Sequence, residues 1–141
     1  MDHAATVRRI YDLINAGDFD AFADLLADDF VEHEELPGGA SGREAPKELF
    51  AMLRAAFPDM HWTAEDVLPS GDKVVARVRV TGTHQGDFMG IPASGRSIDV
   101  GVIDIIRFGD DGLGHEHWGI FDQMTMMQQL GVAPGPEVPA A

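Results

Sequence analysis

Apolar residues recur at helical spacing in four stretches of the chain, and each stretch predicts a helix. Gly17 ends the first helix, the second ends near Asp28, and the short fourth helix covers residues 123–130. The third helix begins with a capping box over residues 41–44 and ends at Pro58. The inner stripes of the three longer helices are Val7, Ile10, Tyr11 and Ile14; Phe22, Leu25 and Leu26; and Leu49, Met52, Leu53 and Ala56.

Alternating apolar and polar residues predict strands over residues 30–34, 60–68 and 72–84. They also predict a hairpin over residues 101–122, with a Gly-Asp-Asp-Gly turn at residues 109–112. This order of helices and mostly antiparallel strands indicates an α+β fold. A strongly curved sheet wrapped on a helix would form a cone with one open end.

The hairpin carries an aspartate in an apolar row. Because a buried carboxylate is unfavourable unless it is paired, hydrogen-bonded or neutral, Asp104 indicates either a pocket lining or one hydrogen-bonded aspartate in the core of an edge hairpin. The alternation of side chains points His33, His84 and Asp104 inward, and it favours the same direction for His117. Asp122 follows just beyond the second strand of the hairpin.

These side chains suit proton transfer. A histidine with a near-neutral pKa can take up or release a proton at physiological pH, and an inward aspartate can orient it or donate a hydrogen bond to an oxyanion. Alternatively, His33 could be solvated and His84 could simply start a loop. His33, His117 and Asp104 would also be acceptable metal ligands, but no fixed ligand spacing accompanies them, so we predict no metal and no cofactor.

Large apolar side chains could line the same cavity, because pockets for small molecules are chiefly apolar. They could equally form the core, and the methionines near residue 126 could pack against a partner subunit. The residues that we predict to bind a hydrophobic small molecule are Phe50, Trp62, Phe88, Met89, Trp118 and Met124.

Composition narrows the class of protein. The 141 residues predict a single domain over residues 1–132 and a flexible tail over residues 133–141. The absence of Cys excludes disulfides, thiolate zinc sites and a Cys nucleophile. A net charge of −14 disfavours nucleic acid and anionic membranes as partners. No run is long and apolar enough for a membrane span and no signal-peptide core is visible, so we expect a cytoplasmic protein.

Several ordered motifs resemble one known family. They are Tyr11-Asp-Leu-Ile-Asn-Ala-Gly-Asp18, Phe57-Pro-Asp59, Gly82-Thr-His84, Gly90-Ile-Pro92, Arg107-Phe, His117-Trp118 and Gln129-Leu-Gly131. Over about residues 5–132 the chain resembles the SnoaL-like polyketide cyclases, or ester cyclases, of the nuclear transport factor 2-like superfamily. The resemblance implies a cone-shaped fold with a hydrophobic central cavity. It also implies a homodimer or homotetramer, although Arg77 and Arg79 leave no obvious apolar patch on the outer face of the sheet.

The resemblance also assigns site residues. In ketosteroid isomerases of the superfamily the base matches His33 and an oxyanion-binding aspartate matches Asp104. The antibiotic cyclases share the histidine that matches His84. Their proposed acid/base is an aspartate two residues after the histidine that matches His117. This chain has Gly119 there, so His33 or His117 becomes the candidate base.

Two further residues complete this comparison. Asp122 matches a later acidic residue of the family. Tyr11 lies one position from the oxyanion-binding tyrosine of the isomerases, which predicts that its side chain turns away from the site.

The resemblance therefore implies a cofactor-independent cyclase or isomerase. It would remove a proton next to a carbonyl group of a hydrophobic substrate, with Asp104 as orienter or oxyanion donor and with His84 and Asp122 as polar supports. The alternatives are a binding module without catalysis, favoured by Gly119, and a hydrolase or dehydratase that uses the same cavity.

Overall fold

A computed structural model of the chain describes residues 2–34 and 39–135. In chain order the elements are α1 (His3–Ala16), α2 (Phe19–Ala23), β1 (Leu26–Glu32), α3 (Glu44–Ala56), β2 (His61–Ser70), β3 (Lys73–Thr83), β4 (Ser97–Phe108), β5 (Gly114–Phe121) and α4 (Gln123–Gln129). The start of the predicted loop after β1, through residue 38, and residues 136–141 of the predicted tail lie outside the described residues. The α+β prediction is confirmed.

The five strands form one mixed sheet in the order β1-β5-β4-β3-β2. β1 runs parallel to β5, and the other neighbours are antiparallel. Alternation sets the two faces of the sheet: Ala76, Val78 and Val80 are buried against the helices, whereas Arg77 and Arg79 are exposed on the outer face. The core lies between the inner face and the helices.

The first helix is fixed at both ends. Asp2 caps it, because its Oδ1 accepts a hydrogen bond from the Ala5 N–H at 3.0 Å, and Gly17 ends it with a φ of 75°. Near that end, Asn15 exchanges two hydrogen bonds with the backbone of Trp62 in β2, at 2.7 and 2.8 Å. These contacts lock α1 to the sheet and set the direction of its buried stripe.

Two predicted helix ends are wrong. The second helix ends at Ala23, because Leu26 already belongs to β1 and pairs with Gly114 of β5. The predicted capping box does not form either: Arg43 precedes the first residue of α3 and makes no side-chain cap. The carbonyl of Gly42 instead accepts from the Ala45 N–H at 3.3 Å. A backbone carbonyl, in place of the predicted capping side chain, thus accepts a hydrogen bond from the first turn of α3.

Across the described ranges, no helix is both long and apolar enough to cross a membrane.

Candidate active site

An apolar cavity of about 360 Å³ lies between the inner face of the sheet, the four helices and the loop that joins β3 to β4. Its apolar lining includes Phe22, Phe50, Trp62, Phe88, Met89 and Met126. Among the residues that the structure describes, its polar and ionisable lining consists of Tyr11, Glu32, Glu34, Asp104, His117 and Gln123. The cavity is of the size that holds a small organic ligand.

A chain of hydrogen bonds forms the polar wall of this cavity. The Tyr11 hydroxyl donates to Oδ2 of Asp104 at 2.6 Å, and Oδ1 of Asp104 lies 2.7 Å from Nε2 of His117. The other ring nitrogen, Nδ1 of His117, lies 2.5 Å from Oε2 of Glu32. Four side chains that are distant in sequence therefore form one connected group.

Strand pairing brings three of the four together. Glu32 of β1 is the register partner of His117 in β5, and Asp104 of β4 is the register partner of Gly119. Because alternate residues of a strand share a face, His117 and Gly119 both face the inner side of the sheet. The fourth residue, Tyr11, reaches Asp104 from α1.

The environment of His117 keeps its imidazole charged. Burial by itself lowers the pKa of His117, but the hydrogen bonds and charges of Asp104 and Glu32 outweigh this effect and raise the pKa to about 10. At neutral pH the ring is therefore an imidazolium that donates from both nitrogens. It is a fixed positive charge and is poorly suited to accept a further proton.

Glu34 has the opposite character. Burial raises the pKa of this carboxyl to about 7; the charge of His117 lowers it, and those of Glu32 and Asp104 raise it further. Glu34 can thus exchange a proton at neutral pH. A Cβ atom placed on Gly119 would lie 2.8 Å from Oε2 of Glu34 and 2.6 Å from Cε1 of His117. The Glu34 carboxylate therefore occupies the space into which a side chain at position 119 would project.

Tyr11 is held in its neutral form. Burial, followed by the charge of Asp104 and the hydrogen bond to it, raises the pKa of the phenol well above its usual value of 10.0. The prediction that Tyr11 turns away from the site is wrong, because the contacts between α1 and the sheet rotate this side chain toward Asp104.

Three residues of the cavity could in principle ligate a metal. Ligand atoms of Glu32, Glu34 and His117 all lie within 4.8 Å of one another. Nδ1 of His117 is, however, already hydrogen-bonded to Glu32, and a metal ligand must be a neutral imidazole. As arranged, the cluster fits a proton-bearing imidazolium better than a metal ligand.

The structure places His33 on the opposite face of the sheet, so its predicted inward direction is wrong. Its ring stacks on Trp118, with 4.7 Å between centroids, and its Nε2 lies 2.8 Å from Oε2 of Glu116. Phe30 is buried in the core, which turns Glu32 and Glu34 inward and the residues between them outward.

Neither predicted polar support reaches the cavity lining. His84 is fully buried, as predicted, but its Nδ1 accepts from the Ser94 N–H at 3.2 Å and lies 2.9 Å from Oγ of Ser94. It therefore anchors the loop that covers the cavity. Asp122 caps α4, because its carboxylate accepts from the N–H and hydroxyl of Thr125 at 3.2 and 2.8 Å.

Of the six apolar residues predicted to bind a small molecule, four line the cavity and two do not. Phe50, Trp62, Phe88 and Met89 line the cavity as predicted. Trp118 and Met124 do not line it: Trp118 stacks on His33 outside, and the Met124 side chain is 65% exposed. The two methionines that reach the cavity from α4 are Met126 and Met127.

Sequence reasoning missed Glu32 and Glu34. The signal that could have found them is Phe30: if this residue is taken as the core residue of its strand, residues 32 and 34 share its face. No comparable local signal identifies Tyr11, because its partner Asp104 is 93 residues away.

Known proteins resemble this chain along most of its length. The sequence profile of the family described as SnoaL-like polyketide cyclase matches residues 4–130. Aklanonic acid methyl ester cyclase DauD from a Streptomyces species is 31% identical over 141 residues, and the alignment covers 93% of this chain and 83% of DauD.

Solved structures share the fold. IdmH from Streptomyces antibioticus, a proposed polyketide cyclase, has a TM-score of 0.81 at 35% identity and covers 94% of this chain and 100% of its own. AclR from Streptomyces galilaeus, a proposed hydroxylase, has a TM-score of 0.83 at 25% identity. This match covers 94% of the present chain and 98% of the AclR chain. Since different activities are ascribed to one fold, the side chains of the cavity must decide the reaction.

Proposed function

Since this chain belongs to the SnoaL-like polyketide cyclase family, we propose that it catalyses a cofactor-independent, aldol-type ring closure of a hydrophobic polycyclic keto ester. The observation that carries the proposal is the Tyr11–Asp104–His117–Glu32 chain of hydrogen bonds at one wall of an otherwise apolar cavity. Two observations support this substrate class: the apolar lining of the cavity, and the name of the similar protein DauD, an aklanonic acid methyl ester cyclase.

The proposed reaction needs one proton acceptor and one site for negative charge. A proton leaves the carbon next to a carbonyl group, and the electron pair of that C–H bond forms an enolate. The enolate carbon then bonds to a second carbonyl carbon, whose oxygen becomes an alkoxide and finally takes up a proton. Bonds and protons balance within the substrate, so no oxidant or reductant is required.

The charge of His117 supports the enolate and alkoxide stages. Its imidazolium is fixed between Asp104 and Glu32 and lies in a cavity whose remaining lining is mostly apolar. The ring edge at Cε1, between the two nitrogens, faces position 119. A developing oxyanion at this edge would be attracted more strongly than in water, and a fixed charge needs no reorganisation as the reaction proceeds. Asp104 would orient this imidazolium and, together with Tyr11, complete the polar wall.

Asp104→Asn tests the proposal. Aklanonic acid methyl ester is incubated with the protein, and ring closure is followed by chromatography. We expect the substitution to lower kcat about 10²-fold, with a much smaller change in KM, because it removes one of the two charges that hold His117. Asp110→Asn, the same change at an exposed turn residue, should leave both constants unaltered.

The outcomes separate the alternatives. Unchanged turnover in Asp104→Asn would remove this residue from the mechanism. Tight binding of the keto ester without product from the unmodified protein would favour a binding module. Hydrolysis of the ester without ring closure would favour the hydrolase alternative.

A further inference from the structure

We infer that the Glu34 carboxylate is the proton acceptor of this cavity and takes the place of the acidic side chain that the antibiotic cyclases carry at the position of Gly119. This inference rests on the proposed function, which requires removal of a proton from carbon. It assigns the base to neither histidine that the sequence suggested.

Space at position 119 supports this assignment. Gly119 faces the cavity side of β5, and a Cβ atom there would meet Oε2 of Glu34 at 2.8 Å. An approach below 3.0 Å means that a side chain at 119 and the present position of the Glu34 carboxylate exclude each other. Because position 119 in β5 is a glycine, the cavity has room for the carboxylate of Glu34, which follows the end of β1.

The hydrogen bonds of the other cavity carboxylates also favour Glu34 as the base. Both oxygens of Asp104 are occupied, one by Tyr11 and one by His117, and Glu32 is hydrogen-bonded to the other nitrogen of His117. Within the described part of the chain, no protein hydrogen bond engages the carboxylate oxygens of Glu34, although its backbone N–H donates to Glu32 at 3.3 Å. Asp104 and Glu32 each already hold the ring of His117, so among the cavity carboxylates of the described residues Glu34 is the one with neither oxygen engaged and the most available to a substrate.

The surrounding charges suit a base at neutral pH. The ionisable groups that face Glu34 are His117 from β5, Glu32 from β1 and Asp104 from β4. The residues that α3, α4 and the covering loop contribute to the lining are uncharged. Burial and the two neighbouring carboxylates raise the pKa of Glu34 to about 7 against the opposing effect of His117. A base with this pKa is both ionised and reasonably basic near neutrality.

In the proposed reaction Glu34 both accepts the proton and returns it. The C–H bond next to the carbonyl breaks, its proton moves to a Glu34 carboxylate oxygen, and its electron pair remains on the substrate as the enolate. After the new C–C bond forms, the Glu34 carboxyl returns the proton to the alkoxide oxygen. The imidazolium of His117 keeps its proton throughout and stabilises the negative charge.

The test compares Glu34→Gln with Glu48→Gln, an identical change at an exposed residue of α3. Two rates are measured on aklanonic acid methyl ester: exchange of the proton next to the carbonyl with deuterated solvent, and ring closure. We expect Glu34→Gln to lower both rates by roughly 10²–10⁴-fold. Affinity for the ester, followed by fluorescence of the cavity residue Trp62, should change only a few-fold. Glu48→Gln should match the unmodified protein.

A pH profile distinguishes a base from a structural residue. Because protonated Glu34 cannot accept a proton, both rates should rise as pH increases toward about 7 and level off above it. This rise should be absent from the residual activity of Glu34→Gln. Glu34→Asp keeps a carboxylate and should retain a rise with pH at a reduced rate.

Each result bears on one proposal or on both. Exchange at the unmodified rate in Glu34→Gln would overturn the assignment of Glu34 and leave ring closure standing. Exchange without ring closure in the unmodified protein would overturn the cyclase proposal alone. Neither exchange nor closure in the unmodified protein would overturn both.

Discussion

Tyr11 is the single tyrosine of the chain, so its ionisation can be followed without interference from another phenol. Its hydroxyl donates to Asp104 in a buried position, and this contact links helix α1 to the charged residues of the sheet. A phenolate at this position would face a carboxylate in a medium that screens charge poorly. The neutral phenol is therefore strongly favoured.

We predict that Tyr11 ionises well above the usual pH range of a phenol, and that Asp104→Asn moves its pKa downward. Burial remains in the variant, but the charge that opposes the phenolate and the hydrogen bond to a carboxylate are removed. The measurement is phenolate absorbance against pH, with circular dichroism showing that the protein stays folded. Asp110→Asn should not move the transition. An ordinary phenol pKa in the folded, unmodified protein would contradict the contact with Asp104.

At the scale of elements, the site depends on how closely β1, β4 and β5 approach. The sheet changes register between Leu26 and Val31, and β1 then continues beside β5 so that Glu32 pairs with His117. This irregularity coincides with two exposed aspartates, Asp28 and Asp29, before Phe30 returns to the core. After this irregularity Phe30, Glu32 and Glu34 share the face that lines the cavity.

Gly119 is a position at which this close approach leaves no space for a side chain. We predict that Gly119→Ala lowers ring closure and destabilises the fold by about 1–3 kcal/mol, because its Cβ would press on His117 at 2.6 Å and on Glu34 at 2.8 Å. The control is Gly101→Ala in β4, where an added Cβ meets nothing within 4 Å. That change should shift stability by no more than about 0.5 kcal/mol.

Chemical denaturation and the ring-closure assay measure these two effects. Full activity and stability in Gly119→Ala would mean that His117 and Glu34 are more loosely held than their distances indicate. It would also weaken the argument that Glu34 replaces a side chain at 119.

At the scale of the whole molecule, the outer face of the sheet is less polar than the sequence suggested. Ile103 and Ile120 are register partners on β4 and β5, and their exposed fractions are 43% and 75%. The expectation that this face has no apolar patch is therefore wrong. Around the pair, Arg77 and Arg79 bond to Glu65, Asp66 and Asp99 in charged pairs that leave the isoleucines uncovered.

We expect two copies of the chain to associate through this face. An apolar centre with a charged rim is typical of an interface between like subunits. Burying two isoleucines from each copy would favour association, whereas the net charge of −14 on each chain opposes it. Light scattering should give a dimer for the unmodified protein and a monomer for Ile120→Asp. Val132→Asp, at another exposed apolar residue after α4, should remain dimeric. A monomeric unmodified protein at working concentration would contradict this expectation.

The local pattern of apolar and polar residues is sufficient to predict the order of the helices and strands and part of the candidate site. Helical spacing located α1, α3 and α4, the Gly-Asp-Asp-Gly turn located the β4–β5 hairpin, and alternation correctly turned Asp104 and His117 inward. These features depend on backbone periods of 3.6 and 2, which short stretches of sequence express directly. The resemblance that the ordered motifs indicated is confirmed, because the sequence profile of the family matches residues 4–130.

Tertiary structure decided which polar groups meet. The side-chain direction in β1 depends on its pairing with β5, which the sequence between residues 26 and 34 leaves ambiguous, so His33 was assigned inward in place of Glu32 and Glu34. The contact of Tyr11 with Asp104 depends on the rotation of α1 against the sheet, which long-range packing fixes.

The pKa values of His117 and Glu34 follow from burial and from charges brought together by folding. The fold, the family and the inward direction of Asp104 and His117 could therefore be predicted from short stretches of sequence. The fixed charge of His117 and the exchangeable proton of Glu34 could not be predicted in this way, because both depend on neighbours that are distant in sequence.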